Sequence, residues 1–296
     1  MGSTVRSEEG MQRRAWARAL AVLGSAALVG CEGTVTLDMQ TTLADPALTG
    51  VIAEIEGVEF LSASGNQTLL FDDPQRINLL QYVDGNLFRL FTDEQLPDGR
   101  YTGVRLLFDP DDEDDDVVTT IGGLEFELNN TVGAFADVAF TLDESESTSE
   151  DLVLTLDLRQ SLSFDDDANV YTLTPVLRAV LPEETGEIFG RVTANCPGSG
   201  TLVEGGAAYL FAGRDRIPDD RDGLGEEPFL TTRVLIQGGV AAVPQYFFNY
   251  IPEGDYTIAL TCNANEDDPL TNDELAFGSI ENIEVTAEET LSHDLI

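Results

Sequence analysis

The side chains in this sequence that could do chemistry are mostly carboxylates, and many of them lie in one short run. Residues 109–116 (DPDDEDDD) place seven carboxylates within eight positions. Such closely spaced charges repel one another strongly unless cations lie between them. The run therefore predicts either a solvated loop or a weak Ca²⁺ site. The candidate metal ligands are Asp111, Asp112, Asp114, Asp115 and Asp116.

A second acidic run, residues 219–227 (DDRDGLGEE), contains part of the Asp-x-Asp-Gly pattern of EF-hand loops. Pro218 occupies the first ligand position of that pattern and Phe229 occupies the twelfth, so the run is not an EF-hand. Weak Ca²⁺ binding at either acidic run is the one cofactor hypothesis that the sequence supports. No other cofactor is expected.

Residues for nucleophilic or metal-assisted catalysis are missing from the sequence. A nucleophilic Ser or Cys needs a neighbouring base, but the sole histidine, His293, alternates with leucines and predicts a strand residue. The sequence has no Lys and no HExxH, P-loop or GxGxxG motif. A carboxylate-dependent glycan hydrolase is the enzymatic alternative, yet the only Trp for sugar stacking, Trp16, lies in the N-terminal leader. We therefore expect a protein that is not an enzyme.

The charge balance excludes one class of partner. The chain has 15 basic and 55 acidic residues, a formal net charge of −40, and every basic residue is Arg. A field of this sign repels nucleic-acid phosphates and anionic lipid surfaces, so nucleic-acid binding is excluded. Three interpretations of the acidity stay open: halophilic adaptation of the surface, ordinary solubilising charge in loops, and dedicated cation binding. Halophilic adaptation predicts a melting temperature that rises with NaCl into the molar range.

The N-terminal segment has the pattern of an export signal. An uncharged run of 12 residues, 19–30, follows Arg13, Arg14 and Arg18. It is too short to cross a hydrocarbon core of about 30 Å as a helix, but it suits the apolar region of a signal peptide. Translation could start at Met1 or at Met11, both of which precede this run.

Residues 28–31 (LVGC) close that segment and resemble the lipobox of bacterial lipoproteins. The resemblance implies that Cys31 is lipidated and becomes the first residue of the mature protein, which would then be held at a membrane by its lipid. A plain secretory signal is the alternative. Glu32 differs from the Asp linked to inner-membrane retention and so favours the outer membrane, facing the periplasm or the exterior.

Beyond residue 31 the hydrophobic pattern is typical of strands. Residues 151–158 (DLVLTLDL) alternate with period two, which predicts a strand with one buried face. Residues 51–60 (VIAEIEGVEF) also alternate, but the phase shifts at Gly57, which predicts a β-bulge. The pattern further predicts a strand at 104–108, a strand at 173–177 whose Pro175 indicates an edge or bulge, and a single helical turn at 93–96.

Four segments in order resemble the successive blocks of one family. They are residues 51–60, 96–106 (LPDGRYTGVRL), 156–162 (LDLRQSL) and 173–178 (LTPVLR). Their order and spacing are similar to the bacterial lipoprotein domain described as domain of unknown function 4382, over about residues 35–180. The resemblance implies a β-sandwich on a lipoprotein. It implies no catalytic residue, because none is established for that family.

A second unit follows a short polar joint at residues 181–186 (LPEETG). It begins with 187–192 (EIFGRV) and contains 246–258 (YFFNYIPEGDYTI), which resembles the middle of carboxypeptidase-regulatory-like, or transthyretin-like, modules. Those modules are non-catalytic sandwiches. The predicted fold is therefore all-β, with two β-sandwich domains of the Ig-like or transthyretin-like kind. The predicted boundaries are 1–30 for the signal peptide, 31–181 for the first sandwich and 182–296 for the second.

The two units share a turn and the second one contains two cysteines. Residues 96–102 and 251–257 both read apolar-Pro-acidic-Gly-x-Tyr-Thr, in which Pro and Gly suit a tight turn before a strand. If Cys31 is lipidated, Cys196 and Cys262 are left to each other, and strand phase points both toward apolar faces. A disulfide is expected in an oxidising compartment. A metal pair is the alternative, although it lacks further His or Cys ligands.

These observations predict a lipid-anchored protein of the bacterial cell envelope that acts as a non-enzymatic binding or structural module. The expected partners are a membrane, reached through the lipid on Cys31, and an envelope glycan or protein. A glycan hydrolase and a weak Ca²⁺-binding surface protein are the alternatives. A purely structural spacer is a further interpretation.

Overall fold

The computed structural model describes residues 33–42, 47–83, 85–108, 116–143, 148–236, 243–268 and 271–296. Cys31 and the leader lie outside these ranges, as do Asp111, Asp112, Asp114 and Asp115. Within the described ranges the chain is all-β apart from short helical turns. No helix within the described ranges has the length and apolar character needed to cross a membrane.

Residues 33–181 form the N-terminal sandwich. Its strands are β1 (Gly33–Thr41), β2 (Leu48–Ser62), β3 (Gln67–Asn78), β4 (Phe88–Leu96), β5 (Gly99–Phe108), β6 (Val117–Thr120), β7 (Glu125–Asn130), β8 (Ala136–Leu142), β9 (Ser149–Leu156), β10 (Leu162–Asp165), β11 (Val170–Leu173) and β12 (Leu177–Val180). One sheet has the order β12-β9-β1-β4 and the other β10-β11-β7-β6-β2-β5-β8, with β3 paired to β2. The pairs β1–β9 and β7–β11 are parallel. Helix α1 (Leu158–Ser161) follows β9, and a 3-10 turn lies at Leu79–Gln81; another, at Pro182–Glu184, begins the C-terminal sandwich.

Residues 182–296 form the C-terminal sandwich. Its strands are β13 (Thr185–Arg191), β14 (Ala207–Ala212), β15 (Leu230–Arg233), β16 (Gln245–Pro252), β17 (Gly254–Thr261), β18 (Phe277–Val285) and β19 (Thr290–Ser292). They form a sheet of order β16-β13-β19 and a sheet of order β15-β14-β17-β18. Helix α2 (Leu202–Gly205) and a 3-10 turn at Ala264–Glu266 complete it. The predicted all-β fold with sandwich architecture is thus confirmed.

Each sandwich has its own apolar core. Val35, Phe60, Leu106 and Leu154 are among the fully buried residues of the N-terminal core, and Ile188, Tyr246, Phe248, Ile258 and Leu260 are buried in the C-terminal core. A third, smaller cluster, centred on Tyr209 and Phe211, lies apart from these two. It includes Ala259 and Ala264, and Leu275 and Phe277 pack against it. The chain after β17 therefore covers the face of the β15-β14-β17-β18 sheet that points away from the C-terminal core.

The β-bulge predicted in β2 is confirmed. The register of β2 shifts between Ile55 and Gly57 against both β3 and β5. A Cβ atom at Gly57 would lie 2.1 Å from the carbonyl oxygen of Leu69 on β3. Glycine is therefore required at this position because the backbone of the neighbouring strand approaches too closely for any side chain.

Two strand predictions are wrong in detail. Residues 173–177 do not form one strand, because β11 and β12 belong to different sheets and Pro175 lies in the connection between them. Residues 93–96 do not form a helical turn, since they belong to β4. Asp93 has φ of 48° within β4, and the register between β1 and β4 is irregular there, so the local signal reflects a bulged strand.

The single buried face predicted for residues 151–158 is also wrong. Leu152, Leu154 and Leu156 face the N-terminal core, but Thr155 and Asp157 on the opposite face are buried as well, at 7% and 0% exposure. The C-terminal sandwich covers that face. Thr155 and residues of β1 line one small cavity together with residues of β15 and β16.

The turn motif shared by the two units forms a corner between sheets in both sandwiches. Tyr101 Oη donates to the carbonyl of Pro97 at 2.6 Å, and Tyr256 Oη donates to that of Pro252 at 2.8 Å. In each case the preceding strand belongs to one sheet and the following strand to the other. The glycine at each corner has φ near +150°, a conformation that favours glycine.

We expect Tyr101→Phe and Tyr256→Phe each to lower the free energy of unfolding by about 1 kcal/mol, because each leaves a corner carbonyl without its donor. Burial raises the pKa of Tyr256 to about 12, so its hydroxyl stays protonated at neutral pH. Urea unfolding of the full chain measures the loss. Tyr82→Phe is the control, since the Tyr82 hydroxyl forms no hydrogen bond with the described residues. Equal stability of all three variants would contradict the prediction.

Candidate functional site at the junction of the two sandwiches

A buried ion pair joins the two sandwiches. Arg221 Nη2 donates to Asp157 Oδ2 at 2.6 Å, and the two side chains are 2% and 1% exposed. Asp157 caps α1, where it accepts from the backbone N–H of Gln160, and it also accepts from the Thr42 hydroxyl at 3.2 Å. Burial alone would raise the pKa of Asp157, but Arg221, Arg178 and the hydrogen bond from the Gln160 backbone together lower it below its ordinary value. Asp157 is therefore ionised at neutral pH.

Two further arginines of the N-terminal sandwich reach the C-terminal sandwich. The guanidinium of Arg178 lies 4.4 Å from the ring centroid of Phe229, a cation–π contact. Arg159 Nη2 donates to the carbonyl of Ala264 and lies 3.5 Å from Asp267 Oδ2. These contacts, with the Asp157–Arg221 pair, fix one sandwich against the other through buried, directional interactions.

A polar crevice of about 340 Å³ lies at the same junction. Arg89 forms a bidentate ion pair with Asp38, with Nε–Oδ1 and Nη2–Oδ2 distances of 2.5 and 3.0 Å. Tyr250 of β16 lines the crevice from the C-terminal sandwich, and burial together with Asp38 and Glu187 raises its pKa. The other polar lining residues are Thr36, Thr92, Asp93 and Asp151.

Two lining residues of this crevice have strained backbones. Asp93 has φ of 48° and Tyr250 has φ of 56°, and neither is glycine. A left-handed conformation costs a non-glycine residue roughly 1–2 kcal/mol, and such residues cluster at functional sites. One strained residue comes from each sandwich, so the crevice between them is the best candidate for a binding site.

A wider groove of about 530 Å³ is lined by four exposed carboxylates. They are Asp137, Glu183, Glu184 and Glu253. A glycan hydrolase needs one carboxyl group held protonated in a dry environment beside an ionised one. All four groups are solvent-exposed, so the groove does not supply that environment.

Asp116 is the one predicted metal ligand that the structure describes, and it is buried rather than solvated. It is 1% exposed, and its Oδ2 accepts from Asn130 Nδ2. Its Oδ1 has no hydrogen-bond partner among the described residues. Burial raises the pKa of Asp116 to about 6, against the lowering effects of Asn130 and the Glu54 backbone. Asp116 is therefore not a residue of a solvated loop. Its role as a metal ligand stays a prediction.

We expect Asp116→Asn to stabilise the full chain at neutral pH. A folded-state pKa near 6 against an ordinary 3.8 means that the folded state loses stability as pH rises from about 4 to 6. The uncharged variant avoids this loss, so it should be more stable by up to about 3 kcal/mol at pH 7 and equal to wild type near pH 4. Urea unfolding from pH 4 to pH 7 measures the difference. Exposed Asp166→Asn is the control, and a pH-independent difference for Asp116→Asn would contradict the assignment.

The predicted disulfide is confirmed, and Cys31 lies outside the described residues. Cys196 and Cys262 are bonded, with 5.6 Å between their Cα atoms. Cys262 directly follows β17, but Cys196 lies in the loop beyond β13 rather than on that strand. His293 Nε2 lies 3.3 Å from Glu281 Oε2, a contact within the C-terminal sandwich.

The second acidic run is partly buried, which its composition did not predict. Asp220 and Arg221 are 1% and 2% exposed. Asp220 Oδ2 accepts from the backbone N–H of Asp273, and the backbone N–H of Arg221 donates to Asp267 Oδ1 at 3.1 Å. Burial raises the pKa of Asp220. Reasoning from the sequence missed Asp267 and Asp273, which lie more than forty positions away along the chain.

Comparisons with known proteins identify only the first sandwich. A search of curated proteins found no significant match to this chain. Among solved structures, the chain is similar to the minor pilin GBS52 of Streptococcus agalactiae, with 11% identity, 88% of this chain and 94% of that chain covered, and a TM-score of 0.18. It is also similar to a fimbrial protein from Bacteroides ovatus, with 8% identity, coverage of 89% and 48%, and a TM-score of 0.20. Likenesses this low carry no argument about function.

The family model that matches is "Domain of unknown function (DUF4382)", over residues 32–175, which agrees with the blocks recognised in the sequence.

Proposed function

We propose that the chain is a non-enzymatic binding module of the bacterial cell envelope, anchored by lipid on Cys31, whose junction crevice binds a hydroxyl-rich ligand such as an envelope glycan. The C-terminal sandwich would be a carboxypeptidase-regulatory-like accessory module. The observation that carries the proposal is the pair of strained residues, Asp93 and Tyr250, that line one polar crevice from two different sandwiches.

The lining of the crevice suits such a ligand. The Arg89–Asp38 fork presents both donors and acceptors, and Arg89 is 52% exposed at its side chain. The half-buried ring of Tyr250 offers an apolar face for stacking and a hydroxyl for hydrogen bonding. Buried contacts between the sandwiches keep these groups in place, which reduces the entropy lost on binding.

A glycan array probed with the full chain tests the binding part, followed by calorimetry with the glycan that binds best. We expect Tyr250→Ala and Arg89→Ala each to weaken binding by about tenfold or more, as for residues central to an interface. Arg100→Ala removes an exposed arginine on β5 outside the crevice and should leave affinity unchanged. Absence of any glycan binding, or equal binding by all variants, would refute the proposal. If the chain instead binds an envelope protein, and Tyr250→Ala weakens that binding, the ligand of the crevice would be a protein and not a glycan.

Fractionation of cells tests the anchor. The wild-type chain should be found with the membranes, and Cys31→Ala should be released to the soluble fraction, since the acidic surface cannot bind anionic lipid by itself. Mass spectrometry of the N-terminal peptide should show acyl chains on Cys31. An unmodified Cys31 in membrane-free protein would contradict the anchor without affecting the crevice.

A further inference from the structure

We propose that Asp220, Asp267 and Asp273 of the C-terminal sandwich bind a divalent cation of the Ca²⁺ type. One carboxylate oxygen from each of the three lies within 4.8 Å of the others. Ca²⁺ binds oxygen at about 2.3–2.6 Å, so two ligands on opposite sides of the ion are separated by roughly 4.6–5.2 Å. Each pair of the three oxygens therefore lies within the separation that two ligands of one ion can have.

A buried, unpartnered carboxylate oxygen supports a cation site at this cluster. Asp220 is 1% exposed, and its Oδ1 has no hydrogen-bond partner among the described residues. Leaving a buried charged oxygen unsatisfied is costly, and such groups are rare in native structures. Glu227, on the same loop as Asp220, likewise has a buried Oε1 without a partner in the described part of the chain. A cation bound by the three aspartates would satisfy the Asp220 carboxylate.

The arginines near the site neutralise only one of its three carboxylates, Asp267. The guanidinium of Arg221 binds Asp157 of the N-terminal sandwich, and Arg159 lies 3.5 Å from Asp267 only. Asp220 and Asp273 form no ion pair with any residue in the described ranges. Buried carboxylates are normally paired or bound to metal, and Asp220 is the buried carboxylate of the cluster that has no ion pair among the described residues.

The donor set selects the class of ion. The three ligands of the site are all carboxylates, without the His or Cys that softer metals prefer. Hard oxygen donors suit Ca²⁺ or Mg²⁺ rather than Zn²⁺ or Cu²⁺. The three residues come from two loops, one after β14 and one after β17, and the Tyr209 hydroxyl on β14 donates to Asp267 Oδ2. A site assembled from two separate loops favours Ca²⁺, which is larger and less demanding in its geometry.

Calorimetric titration of the metal-free full chain with CaCl₂, at constant ionic strength, tests the site. We expect one binding event that Asp220→Asn and Asp273→Asn each weaken by about tenfold or more, since each removes one anionic ligand. Asp166→Asn is the matched control, because it makes the same charge change at an exposed turn of the N-terminal sandwich. Its titration should equal that of the wild type.

Thermal unfolding separates loss of the site from loss of the fold. Saturating Ca²⁺ should raise the melting temperature of the wild type by about 5 °C and that of Asp220→Asn by much less. Without Ca²⁺, Asp220→Asn should melt no lower than the wild type, because it removes an unsatisfied charge. The proposal is overturned if Ca²⁺ produces neither heat nor a shift in the wild type, or if both variants bind normally. It is also overturned if binding is lost only on Asp112→Asn and Asp114→Asn, which would place the ion at the acidic run 109–116. None of these results depends on the lipid anchor or the crevice.

Discussion

Arg221→Ala is expected to lower the free energy of unfolding of the full chain by about 3–5 kcal/mol, because it leaves the buried carboxylate of Asp157 without its partner. Asp157 is 1% exposed at its side chain, so bulk water does not solvate its carboxylate in the folded protein. Arg178 is the other cation that lowers the pKa of Asp157, but its guanidinium stacks on Phe229 and forms no ion pair with the described residues. It therefore offsets only part of the loss.

Urea unfolding at pH 7 measures this effect, and Arg214→Ala is its control. Arg214 pairs with Asp255 at 2.8 Å, but both side chains are about half exposed, so its removal should cost less than about 1 kcal/mol. A cost for Arg221→Ala no larger than for Arg214→Ala would show that the junction pair is not structurally important. Asp157→Leu combined with Arg221→Met should recover much of the stability, since it removes both charges together.

The pair also predicts a direction for the pH dependence of stability. The pKa of Asp157 is lowered in the folded state, so its contribution is present above the ordinary value near 3.8 and is lost as pH falls further. Wild-type stability should therefore fall in acid below about pH 4. Arg221→Ala should show less of this fall, because its Asp157 has lost the partner that favours ionisation.

Local patterns in the sequence predicted some of the strands and one of their bulges. Alternation in residues 51–60 and the phase shift at Gly57 specify a bulged strand by themselves, because both depend only on neighbours along the chain. The two Pro-acidic-Gly-x-Tyr turns specify a tight turn before a strand for the same reason, but not that the turn joins two sheets. The cysteine pair could be predicted by elimination, although one cysteine lies in a loop.

The junction could not be predicted in this way, because it depends on contacts between distant residues. Asp157 alternates with leucines like a solvent-facing strand residue, and only the covering sandwich makes it a buried ion-pair partner. One signal was available at residues 207–211 (AAYLF), which are all buried. A continuous apolar run indicates a strand covered on both faces, and therefore a loop packed over that sheet. Nothing in the run identifies residues 263–277 as that loop.

Replacing Cys196 and Cys262 together by Ser is expected to lower the free energy of unfolding by about 4 kcal/mol. The bond closes a separation of 66 residues, and the chain-entropy model assigns a loop of that size roughly this value. Cys262 stands where β17 ends and the segment over Tyr209 and Phe211 begins. That segment contains Ala264 and Asp267, which accept from Arg159 across the junction, so loss of the bond should loosen the junction as well.

Reductant provides the internal control for the disulfide. It should destabilise the wild type toward the level of the double Ser variant and should leave that variant unchanged, because no other cysteine lies among the described residues. Urea unfolding with and without reductant measures both effects. In denatured, unreduced wild type, at most the thiol of Cys31 should react with a thiol reagent. Two further reactive thiols would contradict the pairing and, with it, the argument that covalent closure of the C-terminal sandwich holds the Arg159 contacts in place.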